Sequence, residues 1–205
     1  MQRLFDIILA FGILVVSSPL WLLAVLALII FDFGNPFFLH ERIGKGGESF
    51  KLIKFRTMRR KSADNSNLTV SGDARITGIG KILRRLKIDE LPQLLNVLSG
   101  SMSVVGPRPE TPEFVALYSP EQREILKYRP GLTDPASIKY RHEERVLAAH
   151  ADPVAAYKSI VLPDKISLSL QYQRNRSIWK DLGIIGSTIG AIFHPPPEEQ
   201  GGIRN

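Results

Sequence analysis

The chain has 205 residues, of which 44% are hydrophobic and 23% are charged, and its sequence contains no cysteine. Disulfides and thiolate metal sites are therefore excluded. Its 27 Lys and Arg outnumber 20 Asp and Glu, and the net charge of +7 favours anionic partners: phosphates, nucleic acid or an acidic lipid surface.

The first predicted element is an apolar segment at residues 7–31 that contains no charged residue. About 20 such residues cross a bilayer as a helix, and the segment is too long for the core of a signal peptide. Ser17, Ser18 and Pro19 lie at its middle, where proline should kink the helix while the serine hydroxyls satisfy the freed carbonyls. A kinked single-pass anchor and a re-entrant helix that bends at Ser18-Pro19 are both consistent with this pattern.

Charge asymmetry predicts the side of the membrane on which the rest of the chain lies. Residues 32–61 carry eight Lys or Arg against three acids. Such an excess of basic residues marks the cytoplasmic face. We therefore predict a membrane helix at residues 1–31, a cytosolic domain at residues 32–194 and a flexible tail rich in Pro and Gly at residues 195–205.

The cytosolic part is predicted to be mainly helical. Three glycines at 44, 46 and 47 indicate a tight turn, residues 50–58 alternate like a half-buried strand, and residues 62–73 are polar and indicate a mobile loop. Helices are predicted at residues 79–86, 91–98, 120–128, 148–159, 166–173 and 178–193. Some of their apolar stripes are narrow enough for them to lie on the bilayer surface as amphipathic helices.

The adjacent acids Asp89 and Glu90 are the main candidates for chemistry. Because Pro92 fits only in a first turn, the second helix should begin at Asp89 or Glu90. The N–H groups of that helix start would keep both carboxylates ionised and stabilise a nearby phosphate. The alternative is structural: Asp89 as an ordinary N-cap and Glu90 as a first-turn acid.

The surrounding cations favour a phosphate and metal site. Arg84, Arg85 and Lys87 precede the acids. Arg108 follows them between two prolines, which is a stiff setting for a surface charge, and the nearby Gly106 lets the backbone approach a ligand. A surface cluster of salt bridges would give a similar pattern, so the charges alone leave both interpretations open.

Five motifs extend this pattern along the chain: residues 54–58 (KFRTM), 89–94 (DELPQL), 96–98 (NVL), 106–109 (GPRP) and 129–133 (RPGLT). In order and spacing they resemble the small monotopic phosphoglycosyl transferases, a family of bacterial sugar transferases. The resemblance covers almost the entire chain, including the apolar segment with its Ser-Pro break. It implies a re-entrant membrane helix broken at Ser18 and Pro19, followed by a membrane-associated cytosolic α/β domain with interfacial amphipathic helices. The implied fold class is mainly α with a few short strands.

The resemblance also implies an activity. Such enzymes transfer a sugar 1-phosphate from a UDP-sugar to undecaprenyl phosphate at the cytoplasmic face of the bacterial inner membrane, the first membrane step of glycan assembly (O-antigen, capsule, exopolysaccharide or glycoprotein). Asp89 would be the nucleophile that releases UMP and carries the phosphosugar. Glu90 would help to hold Mg²⁺ beside Asp89. Direct transfer without a covalent intermediate remains open from the residues themselves.

A cationic lining is expected around the donor diphosphate. The candidates are Lys54, Arg56, Arg75, Arg85, Arg108 and Arg129. Residues 134–141 depart from the family pattern, in which a glycine and a Gln-Val-x-Gly-Arg stretch follow the turn. Arg141 is predicted to take over the missing arginine's role, and the identity of the sugar is not implied.

A rival hypothesis from another class is a membrane-anchored basic scaffold without catalysis. It predicts that Asp89 and Glu90 are dispensable and that binding falls uniformly with salt. Aromatic residues are not interleaved on a basic face, which argues against nucleic acid as a partner. A homodimer and association with downstream glycosyltransferases stay open.

Overall fold

The computed structural model describes residues 2–59 and 73–193. The predicted loop at residues 62–73 lies outside this range except for Asp73, and the predicted tail at residues 195–205 lies outside it entirely. Within the described residues helices predominate and the strands are short. The prediction of a mainly α fold with a few short strands is confirmed, while the division into domains stays a prediction.

The amino-terminal helix α1 spans Gln2–Asp32 and includes Pro19. Proline at this position leaves the carbonyl of Val15, four residues earlier, without its helical partner. The Ser18 hydroxyl donates to that carbonyl at 2.8 Å, as the sequence predicted. By length and composition, α1 is the one helix among the described residues that could cross a membrane.

Both ends of α1 pack on the rest of the protein, whereas its middle does not. Ala10 and Leu28 are fully buried, in two different apolar clusters. Asp32 accepts a hydrogen bond from the Thr77 hydroxyl at 2.6 Å. Between these contacts Val16 is 81% exposed. A straight helix of this length would extend about 46 Å. The two regions of α1 that contact the rest of the protein are therefore far apart along the helix.

A hairpin follows α1. Strands β1 (Phe37–Ile43) and β2 (Ser49–Phe55) are antiparallel, with Phe37 opposite Phe55. The connection contains Gly46 and Gly47 with φ of +77° and +82°, values that glycine adopts without strain. The predicted turn and strand are confirmed, although β2 ends three residues earlier than expected.

Helices α2 (Gly78–Arg85) and α3 (Gln93–Ser99) are joined by a 3₁₀ turn at Ile88–Glu90. Both predicted helices are present, but the prediction that the second begins at Asp89 or Glu90 is wrong. Lys87 adopts a left-handed conformation with φ of +56°, which ends α2 and redirects the chain. Asp89 and Glu90 therefore occupy the 3₁₀ turn, and α3 begins only after Pro92.

A second, parallel strand pair joins β3 (Ser103–Val105) to β4 (Gly131–Thr133). The chain passes from β3 to the Pro-Arg-Pro segment at Gly106, which touches Gly131. A Cβ on Gly131 would lie 2.1 Å from the Gly106 nitrogen, and a Cβ on Gly106 would lie 2.5 Å from the Arg129 carbonyl. The sequence explained Gly106 by the approach of a ligand, whereas in the structure the close approach is between two backbone segments.

The carboxyl-terminal half consists of short helices followed by two longer ones. They are α4 (Pro112–Val115), a 3₁₀ helix (Gln122–Lys127), α5 (Pro135–Lys139), α6 (Glu143–Ala148), α7 (Pro153–Ala156), a π turn (Tyr157–Val161), α8 (Leu162–Arg174) and α9 (Ile178–Phe193). The bounds predicted for α9 are confirmed. The single helix predicted at residues 148–159 is wrong, because Asp152 caps a new helix by accepting from the nitrogens of Val154 and Ala155.

Candidate active site

The wall of the candidate site is formed where α2 packs on the chain that follows β2. A Cβ on Gly80 would lie 2.2 Å from the Thr57 carbonyl oxygen, so only glycine permits this approach. The Thr77 hydroxyl caps α2 by accepting from the Gly80 nitrogen at 2.9 Å. Arg84 then donates from Nε to the Thr57 hydroxyl at 3.1 Å. This packing fixes the end of α2 beside β2 and sets the start of the 3₁₀ turn.

Asp89 is buried at 6% exposure, and its Oδ1 has no hydrogen-bond partner among the described residues. Burial raises the pKa of its carboxyl, and the negative charge of Glu90 adds to the rise. The predicted helix-start stabilisation of the Asp89 charge is wrong, because the turn that contains it is not the start of α3. An unpaired buried carboxylate oxygen is costly, so it indicates a position meant for a ligand rather than a structural acid.

Glu90 has the opposite environment. Arg108 donates two parallel hydrogen bonds to its carboxylate, Nη2 to Oε1 at 2.7 Å and Nη1 to Oε2 at 3.2 Å. The Lys54 ammonium lies 3.6 Å from Oε1. Burial alone would raise the pKa of Glu90, but the charges of Arg108 and Lys54 hold it well below its usual range. Two neighbouring carboxyls with pKa values displaced in opposite directions are suited to different roles.

The Pro-Arg-Pro segment contacts a buried ionic group that we call the Glu110 cluster, which consists of Arg42, Glu110, Tyr157 and Lys165. Glu110 Oε1 accepts from the Tyr157 hydroxyl at 2.6 Å and from Lys165 Nζ at 3.0 Å. Arg42 donates to the Pro109 carbonyl at 3.2 Å. The cluster therefore fixes the backbone that follows Arg108. Glu110, the acid of the cluster, is two residues after Arg108 in the sequence.

Of the predicted cationic lining, the structure brings Lys54 and Arg108 to the acids. Arg56 instead donates to the carbonyls of Asp32 and Phe33 at the end of α1. Arg75 forms a close ion pair with Asp73 at 2.6 Å. Arg85 lies on the exposed face of α2.

The two remaining predicted cations lie in other parts of the fold. Arg129 lines a separate cavity near the amino terminus of α1. Arg141 donates to the Ala191 carbonyl near the end of α9. Their assignment to substrate binding stays a prediction that this arrangement neither tests nor requires.

Asp89 and Glu90 could bind a magnesium ion only if the substrate supplied further ligands to the ion. Mg²⁺ in phosphate-handling sites is usually bound by one or two carboxylates together with substrate phosphates. Asp89 Oδ1 is available, and Glu90 Oε2 accepts one hydrogen bond, which leaves one acceptor position. Among the described residues no group of three or more acids or histidines could form a closed metal cage.

Sequence reasoning missed the Glu110 cluster and the role of Lys87. Glu110 follows the Pro-Arg-Pro motif directly, so its proximity to Arg108 was visible in the sequence. Lys165 lies 55 residues further along the chain, and no local signal marks it as the partner of Glu110. Lys87 is visible in the sequence as a charge, but nothing in the sequence signals its left-handed conformation, because glycine and asparagine normally occupy that region.

A buried acid whose Oδ1 has no partner among the described residues, beside an acid bound by cations, is an arrangement suited to phosphate chemistry, and α1 is long and apolar enough to cross a membrane. Comparison with known sequences agrees: a model of the family described as Bacterial sugar transferase matches residues 1–195. The chain belongs to this family, and the resemblance noted in the sequence is confirmed.

Individual relatives are similar over most of this chain. The exopolysaccharide production protein ExoY of Rhizobium meliloti is 36% identical over 93% of this chain and 84% of its own length. The UDP-glucose:undecaprenyl-phosphate glucose-1-phosphate transferase of Caulobacter vibrioides is 36% identical over 94% of this chain and 69% of its own. A UDP-N-acetylgalactosamine-undecaprenyl-phosphate N-acetylgalactosaminephosphotransferase of Aeromonas hydrophila is 36% identical over 94% of this chain but 43% of its own.

Proposed function

We propose that this protein transfers a sugar 1-phosphate from a UDP-sugar to undecaprenyl phosphate, releasing UMP, as an early step of glycan assembly at the inner membrane. The activities for which the Caulobacter and Aeromonas relatives are named support the reaction class. The observation that carries the proposal is the buried Asp89 next to the Glu90–Arg108 pair, with an Oδ1 that has no partner in the described part of the chain.

The proposed reaction proceeds in two displacements. A carboxylate oxygen of Asp89 forms a bond to the phosphorus that carries the sugar, and the bond from that phosphorus to the bridging oxygen breaks, so UMP leaves. A phosphate oxygen of undecaprenyl phosphate then attacks the same phosphorus, and the Asp89 carboxylate departs. Dividing the transfer in this way lets a soluble donor and a lipid acceptor react in turn at one site.

Arg108 and Lys54 are proposed to neutralise the charge that develops on the diphosphate. Preorganised cations in a partly dry site stabilise a phosphoryl transition state strongly, because they need no reorganisation. Glu90 would orient Arg108 through its two parallel hydrogen bonds. Mg²⁺, our proposed cofactor, would be held by the Asp89 and Glu90 carboxylates with the donor diphosphate and would supply further charge neutralisation.

We further propose that α1 is re-entrant and that the protein is monotopic on the cytoplasmic leaflet. The contacts of Ala10 and Leu28 near opposite ends of α1 support this, because in a re-entrant arrangement both ends of the helix lie on the same side of the membrane as the residues they contact. Exposed apolar side chains on two helices, Ile82 on α2 and Trp179 on α9, support an interfacial placement of those helices.

A labelling experiment tests the topology. Because the natural sequence lacks cysteine, Gln2→Cys and Ser49→Cys each introduce a unique label site. The re-entrant placement predicts that a membrane-impermeant maleimide labels neither in intact cells and both in inverted vesicles. Labelling of Gln2→Cys from outside would support the single-pass anchor instead.

The activity is tested with purified protein in detergent, Mg²⁺, undecaprenyl phosphate and a panel of UDP-sugars. We expect UMP release together with a labelled lipid for at least one sugar. Exposure to the donor alone, followed by intact mass measurement, should show an adduct with the mass of the sugar phosphate. UMP release without an adduct at any time would favour direct transfer, and no release with any donor would favour the scaffold hypothesis.

A further inference from the structure

A second charged cavity lies away from the acids, at the other end of α3. It has a volume of about 500 Å³ and is lined by residues from the start of α1, the β1–β2 turn, the segment before β4 and the end of α8. Arg3, one of its wall residues, donates to the carbonyls of Val97 and Leu98 at the carboxyl end of α3. Glu90 precedes the amino end of the same helix, so this cavity is separate from the proposed active site.

The walls of this cavity carry an excess of positive charge. Four cations line it, Arg3, Lys45, Arg129 and Arg176, against one acid, Asp6. Asp6 is occupied as a structural acceptor, because its Oδ1 takes a hydrogen bond from the Val104 nitrogen at 3.0 Å. The cavity therefore offers uncompensated positive charge to an anion.

Two of these four cations are already bound to other groups of the protein, and the other two are candidates for binding a ligand. Arg3 is bound to the α3 carbonyls, and Arg176 pairs with the buried Asp181 at 2.9 Å. Within residues 2–59 and 73–193, the side chains of Lys45 and Arg129 form neither a hydrogen bond nor an ion pair. A phosphate group would fit between two fixed arginines and two cations that have no partner among the described residues.

An independent observation points to the same ligand chemistry. Gln173, at 8% exposure, also lines the cavity, and the NH₂ group of its amide has no hydrogen-bond partner among the described residues. An unsatisfied buried donor costs free energy of folding, and an anionic oxygen in the cavity would satisfy it. This amide NH₂ group is a hydrogen-bond donor, and an anion accepts hydrogen bonds.

The surroundings of the cavity indicate where the anion comes from. Leu4 and Ile8, one and five residues after Arg3 on α1, are exposed, and Trp179 on α9 is 82% exposed three residues after Arg176. Apolar side chains beside cations are typical of the boundary between lipid chains and headgroups. We infer that this cavity binds the phosphate of an anionic membrane phospholipid, whose chains would lie along the exposed face of α1.

Binding of defined lipids tests this inference, which rests on the proposed membrane placement but not on catalysis. The full chain in detergent is titrated with mixed micelles of phosphatidylglycerol or phosphatidylcholine, and binding is followed by thermal unfolding and by lipid retained in native mass spectrometry. The variant Lys45→Gln/Arg129→Gln should bind phosphatidylglycerol roughly 25-fold more weakly, about fivefold for each surface cation lost. Binding of phosphatidylcholine should not change.

A matched variant controls for charge alone. Arg123→Gln/Lys158→Gln removes one Arg and one Lys at exposed positions outside the cavity. It should keep phosphatidylglycerol binding within about twofold, since long-range attraction at physiological salt is screened. Equal losses in both double variants would overturn the inference.

Two further measurements separate the remaining outcomes. Gln173→Met should weaken phosphatidylglycerol binding without lowering thermal stability, because an unpaired buried amide is removed; the reverse result would contradict the assigned role. Inorganic phosphate and UMP are titrated in parallel, and if they protect the protein as well as the lipid does, the ligand is a soluble anion and the lipid assignment is wrong. Asp89→Asn should bind phosphatidylglycerol normally, so failure of the proposed catalysis would be recognised separately.

Discussion

Two ionic centres lie close together in this fold, and they use the same residue types differently. In the Glu110 cluster the acid is met by Lys165, Tyr157 and Arg42, and the group is enclosed by apolar side chains. At the proposed active site Glu90 is similarly bound by Arg108 and Lys54, but one oxygen of the adjacent Asp89 has no partner among the residues that the structure describes. With respect to its acid the first centre is closed, although Arg42 Nε has no partner among the described residues, and the second centre is open at Asp89.

The difference separates a structural role from a chemical one. Burial would raise the pKa of Glu110, but Lys165 and Arg42 lower it, so this acid stays charged and paired. Burial raises the pKa of Asp89, and its nearby cations do not reverse the shift. A buried pair costs stability when one partner is removed. Neutralising a buried acid that has no partner should lower the activity of the protein but not its stability.

The largest effect is expected from Asp89→Asn. If Asp89 is the nucleophile, the variant should lose at least about 10⁴-fold in the rate of UMP release. Asp152→Asn, an exposed helix cap that asparagine can also fill, serves as a control and should keep its rate. Substantial UMP release by Asp89→Asn would show that the nucleophile is another group.

The stability of the same variant tests the open character of the site. The folded pKa of Asp89 is raised above its ordinary value of 3.8, so its contribution to stability is full below that value and is lost as the pH rises through the folded pKa. Asp89→Asn should therefore unfold at a higher temperature than wild type at neutral pH, and the difference should shrink in acid. A variant less stable at pH 7 would mean that Asp89 is structurally paired.

Lys165→Met tests the closed centre. Removing this ammonium leaves the Glu110 carboxylate buried without its main counter-charge, and the free energy of unfolding should fall by about 3 kcal/mol. Lys158→Met, at an exposed position, should change it by less than about 0.5 kcal/mol. The measurement is denaturant unfolding in detergent. A loss below about 1 kcal/mol would show that the cluster is not a structural centre.

Arg108→Lys lies between the two centres and should affect activity more than stability. Lysine keeps the charge but cannot donate two parallel hydrogen bonds to Glu90, so kcat/KM should fall by about 10²-fold. The exposed Arg123→Lys should leave kcat/KM unchanged. If Arg108→Lys retains full activity, the geometry of the guanidinium does not contribute and only its charge does.

The smallest effect is expected in the pH dependence. Burial lowers the pKa of Lys54 to about 8, against the opposing effect of Glu90. Activity that needs the Lys54 charge should therefore decline as the pH rises through about 8. Lys54→Arg keeps its charge at higher pH, so this decline should move above pH 9. An unchanged alkaline limb would assign it to another group.

Local patterns in the sequence predicted several of these features. The apolar run at residues 7–31, the helix pattern at residues 178–193 and the Ser18 hydroxyl next to Pro19 all depend on neighbours within a turn or two. The motif order identified the family. The same approach misplaced the start of α3, because the strained Lys87 has no signature in the chain. It also selected seven cations, of which two contact the acids in the structure.

The sequence by itself determined that the chain carries an apolar segment long enough to cross a membrane, a mainly helical fold and a pair of adjacent acids within motifs of the sugar transferase family. These features follow from composition, short-range periodicity and fixed spacing. Only the tertiary structure decided that Arg108 and Lys54 bind Glu90, that Asp89 Oδ1 has no partner within residues 2–59 and 73–193, and that Arg129 lies at a different cavity. Burial and ionic pairing depend on contacts between distant parts of the chain, and no local pattern encodes which cation reaches which acid.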